Sequence, residues 1–212
     1  MDIKLIAQNA IRIETNEGKV IYFDPFELGE KVLRDADIIF ITHSHYDHFS
    51  PEDIKKIKND NTKIVITKDL LQKTINCGFN EKDVLSVVPN NEYNFEGIDF
   101  KTIPAYNIKK EFHKREYDWV SYILKIEDNT VYVAGDTDAT EEAKGVRCDI
   151  ALVPVGGTYT MNAEEAANLI KKILPNKMAI PTHYQTVVGS VQDAIRFKEL
   201  LEEKIKVEIL MK

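Results

Sequence analysis

Residues 36–41, ADIIFI, form a short β-branched run that is apolar almost throughout, and residues 149–155, DIALVPV, form a second. A strand that alternates apolar and polar residues needs cover on one face, whereas a strand of this kind is buried on both. Any fold for the chain must therefore enclose at least two strands completely. The material is there: 43% of the 212 residues are hydrophobic and 30% are charged, the balance of a globular protein. A chain of this length buries enough surface to hold one self-sufficient domain without disulfide staples, so a single domain over residues 1–212 is expected.

Strands and helices alternate around these runs. IKLIA, AIRIET and KVIYFDPF open the chain as a meander, with Asn16, Glu17 and Gly18 as a tight connection. Ser50 followed by Pro51 and Asp53 combines a capping hydroxyl, proline at the first helical position and an early carboxylate, which predicts a helix to about Ile57. Strand TKIVI, helix KDLLQKTI and strand VLSVV follow, then a hairpin of residues 93–95 and 98–104 around Glu96 and Gly97. After a polar loop over 105–118, VSYILKI and TVYVAGD are joined by Glu127, Asp128 and Asn129. Asn162 and Glu165 have capping-box spacing ahead of AANLIKKIL, which Pro175 stops. KMAIPTHY reads as a strand, residues 191–203 as a helix and IKVEILM as a last strand. No linker, low-complexity tract or strong repeat divides the chain.

The run ADIIFI leads directly into THSHYDHF, which places three of the five histidines and an aspartate within six positions. From the chain's own composition, His, x, His, x, Asp, His at fixed spacing arises by chance in about two of ten thousand such chains, so a surface loop of satisfied histidines is a poor account. Imidazole and carboxylate are the donors that suit zinc, iron or manganese. His43 and His45, two apart in extended chain, point the same way and can grip one ion. Asp47 and His48 come where the strand breaks into a turn and can serve a neighbouring position about 3.5 to 4 Å away, the usual separation in two-metal sites. Asp136 beside Gly135 and His183 in AIPTHY end later strands, and ligands gathered from strand ends are what a metal site on a sheet requires.

These motifs, THSHYDH at 42–48, GD at 135–136 and the histidine of PTHY at 181–184, resemble the metallo-β-lactamase superfamily. Within it the chain is most similar to small stand-alone hydrolases related to ascorbate-6-phosphate lactonase, with FDPF, AGDTD, PVGGTYTM and PTHY in order. The resemblance implies an α/β fold, a four-layer αββα sandwich. It also implies two divalent ions, zinc first with manganese, iron or nickel open. His43 and His45 would hold one, Asp47, His48 and His183 the other, with Asp136 bridging. The family usually adds a third histidine after the hairpin, where this chain has Asn107. Either Asn107 binds weakly, or His113 reaches in, or the first ion is loosely held; His113 is the preferred reading.

A dinuclear site of this kind makes hydroxide near neutrality and suits hydrolysis. Asp47 is the candidate catalytic residue, orienting the water and moving its proton. Asp24, in YFDPF, is a candidate acceptor for a ligand imidazole N–H, with capping of the Pro25 turn as the competing account. Gly156, Gly157, Thr158 and Tyr159 lie between an apolar strand and a helix and are candidate pocket residues for an anionic small molecule. Tyr106, Tyr184 and Trp119 could shape the pocket, although aromatic residues are more often core. The expected activity is hydrolysis of a small ester, lactone or phosphodiester. A tRNA-processing-type nuclease, or a metal-binding protein of the same fold with little activity, are the alternatives. The net charge of −7 opposes phosphate-backbone attraction and counts against nucleic acid. No apolar run approaches the roughly 20 residues that span a bilayer, and a signal peptide is not evident, so a cytoplasmic protein with no membrane partner is expected. Cys77 and Cys148 read as buried free thiols. Oligomeric state is left open.

Overall fold

A computed structural model describes residues 1–30, 32–201 and 204–211. They form two compact units, Met1–Val88 and Pro89–Lys212.

The first unit holds a mixed six-stranded sheet in sequence order: β1 (Asp2–Ala7), β2 (Ala10–Glu14), β3 (Val20–Phe23), β4 (Ala36–Phe40), β5 (Lys58–Thr67) and β6 (Val84–Val87). β1 to β3 are the expected antiparallel meander, and β3 to β6 run parallel. Helix α1 (Pro51–Ile57) starts on Ser50, whose side chain accepts from the Asp53 amide. Its Ile54 and Ile57 pack into a core with Ile39, Ile41, Ile64 and Ile66 from the sheet. Ile38, Phe40 and Val65, which alternate with these, are also fully buried. Most of β4 and the end of β5 are therefore covered on both faces, as their composition requires. KDLLQKTI splits into a 3-10 turn, Lys68–Leu70, and helix α2 (Leu71–Asn76).

The second unit holds another six-stranded sheet, in the order β12, β11, β10, β9, β8, β7. These are β7 (Glu92–Phe95), β8 (Ile98–Pro104), β9 (Val120–Ile126), β10 (Asn129–Val133), β11 (Ile150–Pro154) and β12 (Met178–Thr182). The β7–β8 hairpin turns on Glu96 and Gly97, with φ of 51° and 79°, and β9–β10 on Glu127 at 53°. β10, β11 and β12 are parallel. α3 (Glu141–Lys144) is a short helix that the sequence pattern does not predict. α4 (Ala163–Ile173) carries the expected capping box of Asn162 and Glu165 and packs on β11, and α5 (Val191–Glu199) packs on β12 and α4. The predicted extension to Glu203 reaches residues outside those described.

One expectation is overturned. IKVEILM is not a strand among the described residues; it makes a single parallel bridge, Val207 to Ala179, beside β12. Its alternation is real, but only one register of backbone bonds forms, with Ala179 donating to Lys206 and Glu208 donating to Ala179.

Candidate metal centre

In the first unit the chain leaves β4 and turns back on itself. The amides of His48 and Phe49 donate to the His45 carbonyl at 3.1 and 2.8 Å. Ahead of that turn His43 and His45 face together, with Nε2 of His43 3.1 Å from Nδ1 of His45. Beyond it, Oδ2 of Asp47 lies 3.6 Å from Nε2 of His48. Asp24, just past β3, has a left-handed backbone, φ 43°, and a fully buried carboxylate. That carboxylate accepts from the Asn9 side chain at 2.7 Å and from the Thr42 amide and hydroxyl at 2.8 and 2.7 Å. It also lies 2.7 Å from Nδ1 of His48. A carboxylate at Nδ1 holds the proton there and leaves the Nε2 lone pair facing away, which is how second-layer partners tune a ligating imidazole. The Gln8 side chain likewise donates to Asp47 Oδ2 at 3.1 Å.

In the second unit β10 ends at Val133, and Asp136 follows three residues later, beyond Gly135 at φ 61°. Oδ2 of Asp136 is 3.1 Å from Nε2 of His183 and 3.1 Å from Nε2 of His113. All three side chains are buried. His183 follows β12 with φ 56°, and His113 sits in the 105–118 loop with φ 54°. Trp119 packs its ring edge against the His113 imidazole at 5.6 Å. Asn107 is buried as well, but the atom it turns to His113 is Nδ2, 3.2 Å from Nδ1. His113 therefore stands beside Asp136, as His183 does, while the Asn107 side chain faces His113 and the Tyr159 carbonyl.

Non-glycine residues with positive φ are strained and tend to persist where the surroundings over-determine them. Gln8, Asp24, His113 and His183 are four of these. Sequence reasoning missed Gln8, Asn9 and Thr42. The first two are polar yet buried in a two-residue turn between Ala7 and Ala10, and that burial is not visible in the sequence.

The donor set fits a divalent ion. Two ligands about 2.0–2.1 Å from a tetrahedral ion lie about 3.3 Å apart. The His43–His45 and Asp136–imidazole spacings of 3.1 Å are close to that. Imidazole nitrogens and carboxylate oxygens brought this near need a proton or a cation between them. The thiols lie outside these donor groups; burial, with Asp149 beside it, pushes Cys148 up to about 12, and burial raises Cys77.

The pocket candidates are more mixed. The Gly157 amide donates to Met161, so it is taken up inside its own turn. A Cβ on Gly156 would stand 2.2 Å from the His183 carbonyl, which gives that glycine a packing reason. Thr158 has φ 46°, and Tyr159 meets Phe112 edge-on at 4.8 Å. Trp119 and Tyr184 are buried, while Tyr106 bonds to Glu142.

Comparison with known proteins gives the family and the fold. The family model of the β-lactamase superfamily domain matches residues 2–183. The UPF0173 metal-dependent hydrolase of Pyrococcus horikoshii is 30% identical over 222 residues, covering 98% of this chain and 95% of that protein. A crystal structure of a proposed metal-dependent hydrolase from Parabacteroides distasonis superposes with a TM-score of 0.84 at 27% identity, covering 99% of this chain and 93% of the other. A proposed zinc-dependent hydrolase of the metallo-β-lactamase superfamily from Thermotoga maritima shares the fold, with a TM-score of 0.64 at 22% identity, covering 98% and 96%.

Proposed function

The chain belongs to the β-lactamase superfamily and, within it, to the UPF0173 metal-dependent hydrolases, with the metallo-β-lactamase fold, and from that premise we propose that it hydrolyses a small ester, lactone or phosphodiester with two divalent ions. Zinc is the first candidate, since imidazole and carboxylate donors suit it. The observation that carries the reading is Asp136, whose Oδ2 stands 3.1 Å from the imidazoles of both His113 and His183.

Following the family resemblance, His43 and His45 are assigned to one ion and Asp47, His48 and His183 to the other, with Asp136 serving both; His113 is assigned to the first ion as the replacement for the third histidine that the family has and this chain lacks. When bound, such ions acidify water to hydroxide near neutral pH and polarise the substrate oxygen. The chain's own groups orient the donors. Asp24 keeps the His48 proton on Nδ1, and Thr42 and Asn9 hold Asp24 in place. Gln8 fixes the Asp47 carboxylate, whose remaining lone pairs can take a proton from the attacking water. Thr158 and Tyr159 are retained as substrate contacts.

The test is elemental analysis of purified protein together with hydrolysis of bis(p-nitrophenyl) phosphate and a lactone panel. Two ions per chain, falling to about one in His113→Ala, with turnover that a chelator abolishes and zinc restores, are the expected results. Near-zero metal and no turnover after reconstitution would overturn the proposal and leave a metal-poor relative of the fold.

A further inference from the structure

The segment AGDTD carries a second acid that the proposed centre does not use. Asp138 stands two residues beyond Asp136 and is buried, with 8% of its surface exposed. Among the described residues it lies in neither group of converging histidine and aspartate donors, and both its oxygens are engaged elsewhere. Oδ2 accepts from the Ile108 amide at 2.8 Å, and Oδ1 pairs with the Lys110 ammonium at 2.5 Å. A buried carboxylate that lost such partners would be left uncompensated, so the loop is held where it supplies them.

The neighbouring residues extend this grip. The Asp138 amide donates to the Tyr106 carbonyl at 3.0 Å, and Thr137 Oγ1 accepts from the Tyr106 amide at 3.2 Å. Residues 106, 108 and 110, alternate positions of the loop's first arm, are thereby bound to the segment that contains Asp136. The second arm is tied to the first, because the Asn107 amide donates to the His113 carbonyl at 2.8 Å. At the base of the loop the Ala105 amide donates to the Trp119 carbonyl at 2.9 Å. The route from Asp138 to His113 is therefore short: a side-chain bond to Ile108, one peptide unit to Asn107 and one backbone bond.

We propose that Asp138 is a positioning residue: by holding the Ile108 amide it sets where His113 stands against Asp136, and it binds no ion itself. One five-residue segment thereby supplies both Asp136 and the clamp on the imidazole beside it. The consequence for metal rests on the reading of His113 as a ligand. A donor held in place before the ion arrives loses less freedom on binding, so release of the clamp weakens the ion without removing a ligand.

Backbone hydrogen exchange of the metal-free full chain tests the clamp. In Asp138→Ala the Asn107 amide, which reports the bond to His113, should exchange at least about tenfold faster, while the Ala105 amide keeps its wild-type protection. Asp138→Asn, whose side-chain oxygen still accepts from the Ile108 amide, should restore protection at Asn107. Unchanged exchange at Asn107 in Asp138→Ala, equal loss at Ala105 and Asn107, or no rescue by asparagine would each overturn the inference. Should Asp138→Ala not fold, Asp138→Ser, whose hydroxyl is one atom too short to reach the amide, takes its place under the same criteria. Zinc titration against a competing chelator separates positioning from ligation. Asp138→Ala should bind the wild-type number of ions at saturation, with affinity weakened by about tenfold. Loss of an ion at saturation would make Asp138 a ligand, and affinity equal to wild type would leave the clamp without effect on the site; either result overturns the inference. A wild type that binds no zinc removes the hydrolase proposal, whereas amide exchange still decides whether Asp138 holds His113 in place.

Discussion

At the level of single residues, the donors and their supports differ in how far the chain itself announces them. THSHYDH is dense enough to name His43, His45, Asp47 and His48 directly, because four donors in six positions serve little else. Asp24 is legible only as an acid at a strand end, and its task becomes clear from three neighbours, Asn9, Thr42 and His48, that all reach one buried carboxylate. Replacing it tests that task. Asp24→Ala should lower zinc affinity by about 10- to 100-fold, the usual effect of removing an outer partner of a ligating histidine. A competitive chelator titration, with a thermal melt to confirm folding, measures it. Unchanged affinity would reduce Asp24 to a turn residue.

At the level of elements, local chemistry wrote the helix starts and turns. Ser50 and Asn162 cap α1 and α4 as their spacing predicts, since capping bonds reach only three residues. α1 carries a second device in Asp53, which accepts from the Glu27 and Leu28 amides at 3.0 and 3.3 Å and pairs with Lys56 at 2.8 Å. Burial pushes its carboxyl up, but Lys56, Ser50 and the Leu28 amide outweigh that and hold it below the ordinary 3.8. A depressed folded-state value means that the stabilisation is present above the unfolded value and is lost as pH falls through the folded one. Asp53→Ala should therefore destabilise the protein by about 1–3 kcal/mol at pH 7, through the amides it leaves without a partner. In urea unfolding across pH, the gap from wild type should narrow below about pH 4. A gap independent of pH would contradict the ion-pair account. The 105–118 loop was legible only as polar. It is tied down by Asp138, which accepts from the Ile108 amide at 2.8 Å, and by Arg115, which bonds to Glu142 of α3 at 2.7 Å and lies over the Tyr106 ring. A four-residue helix is too short to show a period, so Glu142 was not foreseeable as a partner.

For the whole molecule, bound metal is folding free energy, because an unfolded chain holds no preformed site. An ion present at about 100 times its dissociation constant adds about 2.7 kcal/mol, and for a chain of this size that is roughly 5 to 10 °C in the melting midpoint. Chelation should lower the midpoint by that order and zinc should restore it, while His43→Ala/His45→Ala protein should respond less. A midpoint indifferent to chelator in wild type would mean that these residues hold no ion in the native state. None of the described helices is long and apolar enough to cross a membrane. The sequence by itself determined the two mainly apolar strands, the caps and the hairpins, and it named the candidate donor residues, because burial pattern and capping are properties of neighbouring residues. Only the tertiary structure decided that Gln8 meets Asp47, that His113 stands beside Asp136, and that IKVEILM stays a bridge. Each of these depends on which distant backbone segments are brought side by side, and no spacing along the chain records that.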